Sequence, residues 1–373
     1  LIYYITAQFV AAATIFEIVL GLNYQTAILM TAGVVAAYIA LGGIHADIMT
    51  DGIQGAMMIL IALVIAALFL IGYGMPGTGP GVINEALVSQ EPTLGWDNYF
   101  SPGDPIFGSL LLVFLMFVAH LPFAMNPHIG KLAFALNDSA KLRTFLILVI
   151  PIGSILGFTV LGGLHARALL GPDIRPDAAI PALFTELFPP FLAGLLGVAV
   201  LSAIMSTADG LFIAIAVIFS NDLYKRTLAP RIHAHKSPEQ LDRIALWISR
   251  IATVLVGVRA VVLACNPPQF LAILLWMGVG GIVSGAAGPL MIGLLWKRAT
   301  RAGAIASFLT GIALYATLLI GIGWNNPFGA AGVCVLAASA VMVIVSLMTR
   351  PMDEKLLQRI FGRAHAGQGG TAG

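Results

Sequence analysis

Charge is what this chain has least of. Only 10% of its 373 residues are Asp, Glu, Lys or Arg, where a soluble domain carries roughly 25%. So little charge cannot coat a water-facing surface, and a soluble globular fold is excluded. Cysteine is as scarce: Cys265 and Cys334 both lie in or beside apolar runs, and two such thiols make no disulfide framework. Paired acid and base groups, a metal-ligand cluster and a nucleophile beside its base are missing too, which speaks against an enzyme. The formal charge of +2 carries no message by itself, and no nucleic-acid partner is expected. The first residues, Leu1-Ile2-Tyr3-Tyr4, lack an initiator Met and a charged n-region. They read as helix interior rather than a signal peptide.

What the chain has is apolar length. Hydrophobic residues make up 59% of it, its mean hydropathy is +0.96, and the runs approach the ~20 residues that a bilayer core requires. Ten spans are predicted, at 1–21, 26–43, 53–73, 106–126, 144–171, 190–220, 244–264, 268–295, 302–323 and 327–349. A short segment, Ile180 to Phe188, leads into the sixth through Pro189-Pro190. The expected organisation is one polytopic membrane domain over 1–350 and a short, loose, cytoplasmic tail over 351–373.

Lys and Arg orient these spans. Of nineteen, sixteen fall in loops that share one side, from Lys131, Lys141 and Arg143 to Arg350, Lys355, Arg359 and Arg363. The opposite loops carry two, Arg167 and Arg175, and Arg259 lies within a span. Positive charge stays cytoplasmic, so both ends should face the cytoplasm in a plasma (inner) membrane. The outward loop 74–105 has Glu85, Glu91, Asp97 and Asp104 but no Lys or Arg.

The sixth span carries the most telling residues, Leu201 to Asp209. Ser206 and Thr207 either bond back to carbonyls one turn earlier or coordinate something, because polar groups at this depth are otherwise costly. Asp209 stands one turn from Ser206, and Ser202, Ala203, Ala208 and Gly210 permit close helix approach. With the Ala203 carbonyl, the two hydroxyls make a hard-oxygen site suited to a small cation such as Na⁺.

Three other stretches keep two readings. In Gly42 to Gln54, Thr50 or Asp51 N-caps the third span, while Asp51 and Gln54 together are placed to touch a gate or a neighbouring loop. In His120 to His128, Pro122 and Pro127 either end the fourth span or break it and free carbonyls toward a ligand. There His120 bonds a carboxylate or merely a carbonyl. The eighth span, with Gly278, Gly280, Gly281, Ser284, Gly285, Gly288 and Pro289, packs closely or bends. Glu17 is expected to pair within the bundle, Arg259 to snorkel, and His233 and His235 to be ordinary loop residues.

Gly42-Gly43, Ala46, Thr50-Asp51 and Gln54 resemble a signature loop of the sodium:solute symporter family. Ala203 to Asp209, followed by Asn221-Asp222-Leu223-Tyr224-Lys225, resembles its sodium-site helix. Leu169-Leu170-Gly171, Ile180-Pro181, Phe188-Pro189-Pro190-Phe191 and Pro267-Pro268 are similar to the sodium/pantothenate branch. The resemblance implies an all-α integral membrane protein with a LeuT-type inverted-repeat bundle, about ten helices present and about three preceding ones absent. It also implies sodium ligation by Ala203, Ser206 and Thr207, with the remaining ligands on a helix outside this chain. His120, Asn126, Pro127 and His128 would face substrate, with Lys131 standing where relatives often have Arg.

The function so implied is sodium-coupled import of a small organic anion, pantothenate or another monocarboxylate, by alternating access across the lipid bilayer. Na⁺ serves as coupling ion, not as a tightly bound cofactor. Asp209 keeps open a proton-coupled transporter of the same fold, and a transporter-like membrane sensor is the rival of another class.

Overall fold

A computed structural model describes residues 1–41, 44–96, 98, 104, 106–126, 129, 139–267 and 271–361. Its main helices are α1 (Ile2–Leu20), α2 (Tyr24–Leu41), α3 (Ile44–Ile71), α4 (Gly81–Gln90), α5 (Leu110–His120), α6 (Ser139–Gly157) and α7 (Thr159–Leu170). They continue with α8 (Ala179–Leu187), α9 (Pro190–Val217), α10 (Pro238–Ala264), α11 (Leu271–Ala286), α12 (Arg301–Ala316), α13 (Pro327–Met348) and α14 (Glu354–Phe361). Local chemistry sets many of the boundaries. Pro190, Pro238 and Pro327 open their helices at the first turn, where a missing N–H costs nothing. Ser237 and Gln240 form a reciprocal capping box before α10, and Thr300 and Asn326 cap α12 and α13. Gly21, at φ 66°, ends α1 in the left-handed conformation that favours glycine.

Among the described residues, eight helices are long and apolar enough to cross a membrane, and two shorter apolar ones cover Tyr24–Val35 and Leu110–Met125. These match the ten predicted spans, and the protein is a multi-pass membrane protein. Phe145 to Ile150 on α6 and Trp247, Ile251, Val254, Leu255, Val258 and Val262 on α10 are exposed, as lipid-facing residues should be.

Four features depart from the sequence expectation. The third span begins at Ile44, so Thr50 and Asp51 lie nearly two turns inside α3 and not at its N-terminus. The loop expected to face outward folds into α4, because Ile83 and Leu87, one turn apart, bury against Phe69 and Ala168. The ends of the sixth, eighth and ninth spans widen into π-helical turns at Ile218–Leu228, Ala287–Ile292 and Thr317–Gly321. The middle one contains Pro289, so the eighth span both packs closely and distorts. The tail expected to be loose carries α14, whose first turn is held by Asp353 accepting from the backbone N–H groups of Lys355 and Leu357.

The chain divides into two compact units. In the first (Leu1–Tyr99 with Lys131–Leu275), Ile61 and Ile65 of α3, Phe184 of α8, and Ala193, Leu196 and Ala199 of α9 share a core. Helix α1 is buried through most of its length, from Tyr4 to Phe16. The second unit (Phe100–Gly130 with Trp276–Gly373) is built on the α12–α13 pair and α5. Arg298 donates to the carbonyls of Ser346 (2.6 Å) and Thr349 (2.9 Å), satisfying the free end of α13.

Candidate functional site

Helix α9 has two faces of different character. Leu201, Ile204, Met205 and Ala208 line a small cavity with Phe9 and Phe16 of α1 and Val35 of α2. On the opposite side, at the helical spacing of a single face, stand Ala199, Ser202, Ala203, Ser206 and Gly210. These small side chains let α3 come close. There the Ser206 hydroxyl donates to an Asp51 carboxylate oxygen at 2.5 Å, the length of a charge-assisted bond. Both residues are half-buried. Ser206 is 16 residues into α9, about 24 Å along a helix rising 1.5 Å per residue, so the pair sits deep in the span.

Thr207 does what an isolated hydroxyl in a helix does and bonds back to the Ala203 carbonyl, but at 3.4 Å, a length at which little is gained. That separation has a second meaning. Hard cations hold oxygen ligands at about 2.3–2.6 Å, so two ligands at a right angle stand about 3.4 Å apart. The Ala203 carbonyl and Thr207 hydroxyl therefore fit a small cation without rearrangement. Ser206, its proton committed to Asp51, keeps lone pairs able to accept a cation.

Asp51 thus contacts a neighbouring helix rather than a loop, a role its sequence context did not disclose. Gln54, one turn further along α3, is buried, and its Oε1 meets no donor among the described residues. Asp209 is also buried, at 4% exposure.

The fourth predicted stretch lies in the second unit. Helix α5 stops at His120, and Pro122 leads into a 3₁₀ turn, Phe123–Met125. The His120 Nδ1–H donates to the Met116 carbonyl at 2.7 Å, which leaves Nε2 as a free acceptor on an exposed ring. That ring lies 4.5 Å from Trp276, which in turn stands 4.6 Å from Phe328 and 6.2 Å from Phe123. Asn126 is fully buried and donates to the Phe123 carbonyl at 2.7 Å, while its Oδ1 meets no donor among the described residues. The sequence singled out His120 and Asn126 but not Trp276 or Phe328, because an aromatic in an apolar span carries no signal of its own. Pro127, His128 and Lys131 lie outside the described residues, as do Gly42 and Gly43.

The remaining charges find simple places. Glu17 pairs with Arg175 at 2.5 Å, Arg259 is exposed on α10, and His233 Nδ1 lies 2.9 Å from the Tyr224 hydroxyl. No metal-ligating cluster of three His, Cys, Asp or Glu exists among the described residues.

Comparison with known proteins places the fold. The model of the sodium:solute symporter family matches residues 1–311. A sodium/pantothenate symporter of Haemophilus influenzae is 29% identical over 84% of this chain and 62% of its own length. A sodium/proline symporter of Escherichia coli is 26% identical over 97% of this chain and 70% of its own. The chain therefore spans 62% to 70% of the length of these relatives. A solved structure of a Na⁺-coupled sialic acid symporter, substrate-bound and outward-open, superposes with a TM-score of 0.69 at 18% identity. The match covers 94% of this chain and 74% of that one, and the LeuT-type fold is the one expected.

Proposed function

The chain belongs to the sodium:solute symporter family, a family of transporters rather than enzymes, and from that premise we propose that it acts in sodium-coupled import of a small organic acid. Na⁺ is held by the Ala203 carbonyl and the hydroxyls of Ser206 and Thr207, with the Asp51 carboxylate neutralising its charge. The single observation carrying this reading is that neighbouring residues of α9 engage Asp51 of α3 (Ser206, at 2.5 Å) and the Ala203 carbonyl (Thr207, at 3.4 Å). Sodium would act by stabilising the conformation in which these oxygens meet, as linkage requires.

Substrate is assigned to the α5 break in the second unit, where His120 lies against Trp276 and where His120 Nε2 and Asn126 Oδ1, both acceptors, suit hydroxyl or N–H groups of a substrate rather than its carboxylate. Pantothenate or another monocarboxylate suits an apolar wall with few polar points. Proline is the second reading, favoured by the proline symporter's alignment along nearly the whole chain. Both ends face the cytoplasm, as the Lys and Arg distribution requires.

Thermal unfolding of the purified full-length protein in NaCl against matched choline chloride tests the ion site. A site-specific ligand at 100 times its Kd adds roughly 2.7 kcal/mol, so sodium should raise Tm by several degrees, and Thr207→Ala should demand at least about tenfold more sodium for the same rise. A Tm indifferent to sodium in the wild type would reject the ion assignment. Sodium-gradient uptake of labelled pantothenate and proline in liposomes then separates the two substrates.

A further inference from the structure

Helix α10 is 27 residues long, about 40 Å at 1.5 Å per residue. A bilayer core takes up ~30 Å of that, so roughly two turns project beyond it at the end rich in Lys and Arg. Arg243, Trp247, Arg250, Val254 and Val258 are all exposed and recur at the spacing of a single helix face. They form one ridge, apolar from Val254 onward and cationic toward the helix start. Trp247 lies where aromatic side chains mark the membrane interface.

Arg250 stands about two turns further along α10 than Arg243, at a depth where an unpaired cation is costly. Its guanidinium carbon lies 5.5 Å from the centroid of the Trp247 ring, within cation–π range. Helical side chains lean back toward the helix N-terminus, so the group is aimed at headgroup level. No acid answers it. Asp242 is taken by Lys225 and Asp222 by Arg226, while Glu239, one turn before Arg243, forms no ion pair. Among the described residues, neither Arg243 nor Arg250 has an anionic partner.

The Trp247 ring covers one face of the guanidinium and leaves its in-plane N–H groups without acceptors. That planar fork matches the oxygens of a phosphate, and Val254 and Val258 continue the ridge as a surface for acyl chains. Arg243, about 10 Å nearer the helix start, adds positive charge on the outer side. A zwitterionic headgroup would carry its own cation toward Arg243, whereas an anionic one would not. We propose that the Arg243–Trp247–Arg250 ridge binds an anionic phospholipid, with Arg250 holding the phosphate and Arg243 rejecting zwitterionic headgroups. This stands on α10 alone and is independent of the sodium and substrate assignments.

The test titrates the purified full-length protein in detergent with phosphatidylglycerol or phosphatidylcholine of identical acyl chains, counting bound lipid by native mass spectrometry. Wild type should retain phosphatidylglycerol at least about fivefold more tightly, the factor that one Lys or Arg commands near a charged lipid surface. Arg250→Gln should lose about fivefold in phosphatidylglycerol affinity. Arg259→Gln removes an exposed arginine from another side of the same helix and should leave that affinity within about twofold of wild type. Inorganic phosphate in excess should not displace the lipid, because the acyl chains contribute to its binding. Equal retention of the two lipids, equal losses at Arg250 and Arg259, or full displacement by inorganic phosphate overturns the proposal. Should Arg250→Gln melt early in detergent, Arg250→Lys decides, since it keeps the charge and loses the fork. Weaker retention of phosphatidylglycerol by the lysine variant supports the site, and wild-type retention refutes it.

Discussion

The two units differ in one of the ways their helices are held together. In the first, distant helices meet through polar contacts at single points: Asp51 on Ser206, Glu17 on Arg175, Asp177 on the Leu271 N–H, Tyr24 on the Ala264 carbonyl. The second has such contacts too, Tyr315 on the Trp276 carbonyl, Ser307 on that of Ala338 and Arg298 on that of Ser346, but its helices also touch backbone to backbone where glycine leaves no side chain. A Cβ at Gly332 would fall 2.2 Å from the Leu115 carbonyl oxygen, and one at Gly311 would fall 2.1 Å from that of Ser284. Point contacts between polar groups can be exchanged for water, an ion or another partner at modest cost. Interlocked backbones cannot be parted without losing dispersion contacts along the whole interface. The first unit is thus suited to changing partners, and the oxygens proposed to hold the ion belong to that class. The second is suited to moving as a block.

The sharpest test of this contrast is glycine substitution. Gly332→Ala drives a methyl into a carbonyl that cannot move without its helix, and overpacking of this kind costs about 1–3 kcal/mol or more. Its expected outcome is a Tm lowered by many degrees, or failure to purify as a monodisperse species. Gly197→Ala in the first unit meets the side chain of Val19 at 3.0 Å, a group able to rotate away, and should shift Tm little. Equal losses from both, read by thermal unfolding and gel filtration, would erase the distinction.

A second test replaces one polar contact. Ser206→Ala leaves the half-buried Asp51 carboxylate without its donor, a penalty of about 1–3 kcal/mol, reduced where water reaches the site. Asp51→Asn keeps a hydrogen-bonding partner and should cost less. The sodium response should separate them from any structural effect: both variants need at least about tenfold more sodium for a given rise in Tm, because one removes a ligand oxygen and the other the compensating charge. Asp51→Asn with an unchanged sodium response would detach Asp51 from the ion site and leave Ser206–Asp51 as packing alone.

How far these features were legible in the sequence follows from whether their cause is local. The spans were, since an apolar run of bilayer length has one explanation, and so were Ser206 and Thr207, since hydroxyls at that depth need a reason. The partner of Ser206 was not, because Asp51 lies 155 residues away and nothing in Thr50-Asp51-Gly52 distinguishes a cap from a helix interior when the helix has already begun at Ile44. Helix α4 was legible in principle from Ile83 and Leu87, but the acidic residues around them read as an outward loop. The π-helical turns depend on how neighbouring helices pack, and the grouping of His120 with Trp276 and Phe328 depends on the fold. No local pattern encodes either.

The smallest expected effect is a pH dependence at Asp177, and it bears on whether the first unit's contacts are truly exchangeable. Burial raises this carboxyl above its ordinary range, while the Leu271 N–H and Arg175 pull it part of the way back. The folded protein therefore holds the proton to higher pH than the unfolded chain does. With that sign, stability is greatest below the ordinary carboxyl value of about 3.9, declines as pH rises toward the raised folded value, and is level above it. Asp177→Asn keeps an oxygen for the Leu271 N–H but carries no charge, so it should abolish this slope and match or exceed the wild-type Tm at neutral pH. Asp177→Ala should abolish the slope too but unfasten the start of α11. If the asparagine variant is instead as damaged as the alanine one, the contact depends on its charge, and the first unit's polar points are less replaceable than their geometry implies.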